Sequence, residues 1–300
     1  MYLALLLLSF IAYLLAGMPA FDAICHAMSV SATGGFSSRN ASIAAFDSRW
    51  VEGITMVFMY LSSIHFGLVY LSVVSRSLKP LNNPVVKFYT LSIILVSLVI
   101  GAGLKFNGIC PTWKNAVWNG FFETLCVTST SGFAILDNAH WPLWIIMVLM
   151  FSAVMCGSAG STSGGVKVDR VILLFKATGR RINSILHPSS INEVRMGNRI
   201  LRDEEVSPHL LYLALYGLLL AVSILFSLMV GVDHQNSFIA SVTSLGNVGP
   251  AYGALGTMGS FNSVPMLGKL VFTIDMFLGR IEIYPVLAVV AMIFDKRARG

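Results

Sequence analysis

Charge is what this sequence has least of. Of its 300 residues, 11% are Asp, Glu, Lys or Arg, while 56% are hydrophobic, and the mean hydropathy is +0.77. Soluble domains carry roughly a quarter charged residues, so a water-facing globule is excluded and an integral membrane protein is expected. Cysteine is scarce too. Cys25, Cys110, Cys126 and Cys156 show no metal or redox spacing and read as packing residues. No phosphate-binding fingerprint is present, so no organic cofactor is expected. His65, Asp275 and Glu282 form no catalytic motif, which argues against an enzyme. The net charge of +6 might suggest nucleic acid. Yet the basic residues flank apolar runs without interleaved aromatics, as topology signals do.

What is present is a set of apolar runs broken by short polar ones. Residues 1–17, 53–75, 88–104, 141–155, 210–232 and 264–294 each approach or exceed the roughly 20 residues of a membrane span. The first is uncharged and lacks a basic leader, so it reads as a helix rather than a signal peptide; the last reads as one long helix. Residues 19–28, 113–127 and 237–244 are too short to cross. Each leads into a Gly-rich stretch: residues 29–38 (Ser-Val-Ser-Ala-Thr-Gly-Gly-Phe-Ser-Ser), 128–137 (Thr-Ser-Thr-Ser-Gly-Phe-Ala-Ile-Leu-Asp) and 243–253 (Thr-Ser-Leu-Gly-Asn-Val-Gly-Pro-Ala-Tyr-Gly).

The unit is span, short re-entrant helix, Gly-rich loop, span, and it occurs three times. This divides the chain into residues 1–78, 79–181 with a broken inner helix at 156–165, a cytoplasmic linker 182–207, and 208–300. Fourteen of the 20 Lys and Arg lie around Arg76–Lys87, between Lys167 and Arg202, or in the tail. That side is cytoplasmic by the positive-inside rule, and the Gly-rich loops face the outer half of the membrane.

A short helix with an extended return loop is the plan of a pore loop, whose carbonyls replace the hydration shell of a cation. Thr33-Gly34-Gly35, Thr130-Ser131-Gly132 and Asn247-Val248-Gly249 fall in register, their last glycines 97 and 117 residues apart. No carboxylate ring accompanies them, which favours a monovalent over a divalent cation. Any one of these loops alone could be a tight turn or a small-residue helix contact. Residues 156–165 (Cys-Gly-Ser-Ala-Gly-Ser-Thr-Ser-Gly-Gly) interrupt an apolar helix through Gly157, Gly160, Gly164 and Gly165. They could be a movable break or a loop joining two ordinary helices. Arg280 in the last apolar run is either functional or half of a buried ion pair. Asp275 and Glu282, seven residues apart, are expected to share one helical face away from Arg280, and His65 to be a packed, hydrogen-bonded core residue.

These motifs together resemble the TrkH/KtrB family of bacterial potassium uptake proteins. Ser-Ala-Thr-Gly-Gly-Phe-Ser-Ser, Thr-Ser-Gly-Phe-Ala and Gly-Asn-Val-Gly-Pro look like its second, third and fourth filter loops. Residues 157–167 look like its inner-helix interruption, and Leu-Gly-Arg-Ile-Glu (278–282) like its basic pore site. The resemblance implies an all-α membrane protein with a pseudo-fourfold pore, in the bacterial inner membrane, that takes up potassium. Potassium-binding residues would be Thr33, Gly34, Gly35, Thr130, Ser131, Gly132, Asn247, Val248 and Gly249. Gly157–Gly165 would be the gate, and Arg280 would face the pore beneath the filter. Implied partners are membrane lipid, a second copy in a homodimer, and a cytoplasmic nucleotide-binding regulatory subunit of the TrkA type.

The family has four repeats and this sequence shows three, so the first filter wall is expected to be missing. Two other readings remain: a secondary transporter of another solute, whose sites often lie at broken helices, and a non-conducting fragment that needs a partner chain. Three loops form three sides of a filter, and inward carbonyls on the open side are costly in hydrocarbon. Residues 1–300 expressed alone are therefore expected to reach the membrane but not to rescue an uptake-deficient strain on limiting potassium. Growth would mean that the chain closes its pore another way, such as self-association.

Overall fold

The computed structural model describes residues 1–188, 193–197, 199–249, 252–256 and 259–294. Pro250 and Ala251 of the third loop, and Lys296, Arg297 and Arg299 of the tail, lie outside the described residues.

The described residues are predominantly helical, as the all-α reading implied. Helix α1 (Tyr2–Leu15) turns through Gly17, in the left-handed region at φ +87°, and through Pro19 into the short α2 (Ala20–Ser31). After the first Gly-rich loop come α3 (Arg49–Ser63) and α4 (Phe66–Val74). Helix α5 (Pro84–Phe106) starts where Pro84 occupies its first turn and the Asn83 side chain accepts from the Val85 N–H at 2.9 Å, which satisfies one of the orphan donors of the helix end. The short α6 (Trp113–Thr128) is capped by Thr112 and leads into the second loop. Then follow α7 (Leu143–Met155), the break, and α8 (Val168–Leu186). Helix α9 (Asp203–Met229), the short α10 (His234–Leu245) capped by Asp233, α11 (Met266–Ile281) and α12 (Ile283–Phe294) complete the fold.

Two expectations need correcting. Residues 53–75 are not one continuous helix: α3 and α4 meet at 101°. Residues 264–294 are not one long helix either, because α11 and α12 meet at 107°, with Glu282 between them at φ +70°. The 182–207 linker carries structure. Helix α8 enters it as far as Leu186, and β1 (Val194–Met196) pairs antiparallel with β2 (Arg199–Leu201), Val194 opposite Leu201. Helices α5 and α9 are by themselves long and apolar enough to cross a membrane, the two bent pairs qualify as broken or re-entrant spans, and α1 and α7 are shorter apolar helices.

Helix α6 is the centre of the packing, and every residue from Phe122 to Thr128 is buried. On one side Phe122, Leu125 and Cys126 join Tyr13, Ala27, Met59 and Tyr89. On the other, Ala116 and Val127 join Ile100, Ile145, Leu149, Ile239 and Phe272. Its partner α5 comes very near: a Cβ on Gly120 would stand 2.5 Å from the Ser97 carbonyl oxygen. Gly120→Val must therefore force the two backbones apart, at about 1–3 kcal/mol for overpacking. The expected result is a lower melting temperature of the detergent-purified protein. Gly179→Ala, where an added Cβ meets no atom within 4 Å, should not lower it, since Ala is favoured over Gly inside a helix.

Candidate ion filter and helix-break loop

The three Gly-rich loops leave their short helices by the same turn. After α2, the Thr33 N–H donates to Val30 O and the Gly34 N–H to Ser29 O. After α6, Thr130 and Ser131 donate to Val127 O and Cys126 O; after α10, Asn247 and Val248 donate to Ser244 O and Thr243 O. This is a Schellman closure, whose left-handed residue is usually Gly and sometimes Asn. Here it is Thr33 at φ +51°, Thr130 at +58° and Asn247 at +57°. Two residues on, Gly35, Gly132 and Gly249 are left-handed again at +68°, +73° and +101°, while Gly34, Ser131 and Val248 between them are not. Alternating handedness turns successive peptide planes so that neighbouring carbonyls project to one side. A β-branched residue in this region is strained by about 1–3 kcal/mol. The fold tolerates that strain twice, at Thr33 and at Thr130.

Seven of the nine expected filter residues, namely Thr33, Gly34, Gly35, Gly132, Asn247, Val248 and Gly249, line one cavity of about 1060 Å³, with Arg280 also in its wall. Thr130 and Ser131 lie behind it, buried. The three short helices end at this cavity, and helix C-termini carry partial negative charge that favours cations. The first and second loops touch: a Cβ on Gly35 would stand 1.7 Å from the Ser131 carbonyl oxygen. Among the described residues the third loop is open on one side, where a Cβ on Gly249 would meet nothing within 4 Å.

Beneath the loops, the chain between α7 and α8 fills the gap left by the α3–α4 bend. The Ser158 and Thr162 N–H groups donate to Ser63 O and Ser62 O at 2.9 and 3.3 Å, and the Phe66 N–H donates to Gly160 O at 3.2 Å. The carbonyls freed at the end of α3 are thus capped by the break loop. His65 differs from its expected place in the core. It is exposed, accepts from the Gly67 N–H at 2.9 Å as the cap of α4, and its ring lies 2.8 Å from where a Cβ on Gly160 would be.

The same loop is fastened to the first two Gly-rich turns. Thr33 Oγ1 donates to Thr162 O at 3.0 Å, Thr130 Oγ1 accepts from the Gly164 N–H at 2.9 Å, and Thr162 Oγ1 donates to Ser31 O at 3.2 Å. A Cβ on Gly164 would come within 2.6 Å of the Asn247 Cβ. Arg280 joins the two levels, donating through Nη1 to Thr162 O at 2.7 Å and through Nη2 to Ala32 O at 3.2 Å.

Arg280 is therefore held by carbonyls and not by a carboxylate, which removes the ion-pair alternative among the described contacts. Asp275 and Glu282 do not share a face, because α11 ends at Ile281. Asp275 accepts from Ser223 Oγ between α9 and α11, and Glu282 pairs with Arg170 at 2.8 Å. Arg170 itself lies over the Tyr212 ring, 3.8 Å from its centroid. Sequence reasoning missed Thr162, the Arg170–Glu282 pair and two buried acids in the short helices, Asp22 and Glu123. An acid within an apolar membrane segment was the signal that could have found the last two. Among the described residues no group of His, Cys, Asp and Glu could hold a metal, and all four cysteines are free.

The family model described as TrkH, cation transport protein, matches residues 1–84 and 110–298. The chain is 33% identical over 276 residues to the Trk system potassium uptake protein TrkH of Salmonella typhimurium, covering 91% of this chain and 56% of that one. It is 34% identical over 278 residues to TrkG of Escherichia coli, with 92% and 57% covered. The crystal structure of the potassium transporter TrkH from Vibrio parahaemolyticus superposes with a TM-score of 0.89 at 32% identity, covering 96% of this chain and 62% of that one. The chain thus spans a little over half the length of the relatives it matches. With the triplicated turn, the helix-break loop and these matches together, the chain belongs to the TrkH family of bacterial membrane cation transport proteins.

Proposed function

We propose that this chain supplies three of the four walls of a potassium uptake pore, formed by residues 1–78, 79–181 and 208–300, with 182–207 as cytoplasmic linker. The observation that carries this reading is the identical left-handed alternation of the three loops around one cavity. Carbonyls turned to one side by that alternation suit a dehydrated monovalent cation, and selectivity then depends on their number and field. The ligands are the backbone of Thr33–Gly35, Thr130–Gly132 and Asn247–Gly249. A fourth wall closes the side left open beside Gly249. The cargo is potassium, the word that the relatives' names carry.

Residues 157–165 act as the gate in this proposal and Arg280 as its latch. Arg280 and Thr33 both donate to the Thr162 carbonyl, so the loop is held across the path by the filter's own base. A guanidinium in the path also repels the cargo. Opening needs these bonds to break together, and a regulatory subunit of the TrkA type acting from the basic cytoplasmic side could supply the work. The proposal takes the assembly as a homodimer.

Two experiments bear on this, both in a protein with all four walls present. Gly132→Ser places a side chain at φ +73°, where an L-residue costs roughly 1–2 kcal/mol. The rubidium-over-sodium uptake ratio is expected to fall by about fivefold or more; an unchanged ratio removes Gly132 from the filter. Arg280→Ala, or deletion within residues 160–164, is expected to raise basal rubidium flux by about tenfold, since hydrogen bonds from charged groups contribute about 1.5–3 kcal/mol. Ion preference should not change. A fall in flux at normal membrane abundance would mark the loop as a structural joint.

A further inference from the structure

We infer that Glu123 is a positioning residue for the ion filter, a strut from the second wall that holds Tyr252, three residues beyond the last glycine of the third. The inference rests on the filter reading above. Glu123 lies on α6 at 1% exposure. Its Oε2 accepts a hydrogen bond from the Tyr252 hydroxyl at 3.1 Å, while Oε1 has no partner among the described residues. A carboxyl group buried with one oxygen unpaired is expensive, and an apolar side chain would pack α6 more cheaply. The contact that Oε2 makes is the compensation visible in the structure.

Tyr252 stands three residues beyond Gly249, and the first loop has its counterpart at that position. Ser38 stands three residues beyond Gly35, and Asp22 on α2 accepts from its hydroxyl and from Arg39 Nη2, the latter at 2.7 Å. An acid on a short helix thus bonds the residue three places beyond the left-handed glycine in two loops. In the first it reaches its own loop; in the third, the acid comes from the neighbouring wall. The second loop is held at its exit by backbone: the Ala44 N–H donates to Ala134 O at 3.2 Å, and the Ala134 N–H to Ser42 Oγ at 3.2 Å.

The third loop has fixed points on both sides of Gly249. At its entry Asn247 Nδ2 donates to Met276 O at 2.7 Å and Val248 is buried in the core. At Gly249 an added Cβ would find no neighbour within 4 Å among the described residues, and the Tyr252 tie lies three residues downstream. Tyr252 is 3% exposed, and its ring centroid lies 6.3 Å from that of Trp141 beyond the second loop. On the same face of α6, Cys126 Sγ donates to Phe133 O at 2.8 Å and steadies the second loop. One helix face therefore sets the spacing of two adjacent walls.

The test uses Glu123→Leu, Glu123→Gln, Tyr252→Phe and the Leu/Phe double variant, each in a protein with all four walls and at measured membrane abundance. Loss of one hydrogen bond corresponds to about two- to tenfold. Glu123→Leu and Tyr252→Phe should each lower the rubidium-over-sodium uptake ratio by that factor, and the double variant should fall no further than the worse single one. Glu123→Gln keeps an acceptor for the hydroxyl and should retain the native ratio. A native ratio in Tyr252→Phe, additive losses in the double variant, or a Gln variant as poor as Leu would each overturn the strut. Should Glu123→Leu fail to reach the membrane, the near-isosteric Gln and Phe variants decide alone. Loss of preference in Gly132→Ser with a native ratio in Tyr252→Phe would retire the strut and leave the filter reading standing.

Discussion

Backbone that leaves the helix inside a membrane must find its hydrogen bonds within the protein, and the rest of this structure follows from that constraint. The α3–α4 bend frees the carbonyls of Ser62 and Ser63, and the chain between α7 and α8 frees its own amides. Each supplies what the other lacks, through Ser158 and Thr162 in one direction and Phe66 to Gly160 in the other. The third bend, at Glu282, is tied to the same place by Arg170 from the start of α8. Three irregular segments, far apart in the chain, can exist because they meet.

The same economy joins the break loop to the three Gly-rich turns. Strain at Thr33 and Thr130 persists because their hydroxyls bond the loop beneath, to Thr162 O and from the Gly164 N–H. A glycine at either position would relax the backbone and lose the bond. The left-handed threonines are therefore part of the contact between the Gly-rich turns and the break loop. Arg280 reinforces that contact, bonding both Thr162 O and Ala32 O. Opening of the loop as proposed would exchange these bonds for others in concert, which suits a two-state switch better than a gradual one.

Much of this was legible beforehand. The triplet register of Gly35, Gly132 and Gly249 was read from spacing and flanking pattern, and the break at 157–165 from its glycines. The bend at Glu282 was missed although Pro285 stands just after it; a proline fits the first turn of a helix better than its interior, and here it stands in the first turn of α12. The α3–α4 bend carries no such mark. Ser62, Ser63, Ile64 and His65 include neither Gly nor Pro, and the run reads as one apolar span.

Composition by itself determined that the chain belongs in a membrane, because so few charges cannot cover a water-facing surface. Apolar run length set the long helices α5 and α9 apart from the short ones, and the local chemistry of Gly, Thr and Asn determined the three turns, since those depend on φ and on hydrogen bonds a few residues away. Only the tertiary structure decided how Arg280 is satisfied, that Glu123 reaches Tyr252, and that α3 breaks at all. Each of those depends on a partner about a hundred or more residues distant in the chain: Thr162 and Ala32 for Arg280, Tyr252 for Glu123, and Ser158 and Thr162 for the end of α3. No local propensity records such a partner, because its contribution arises only once the helices have packed and water is gone.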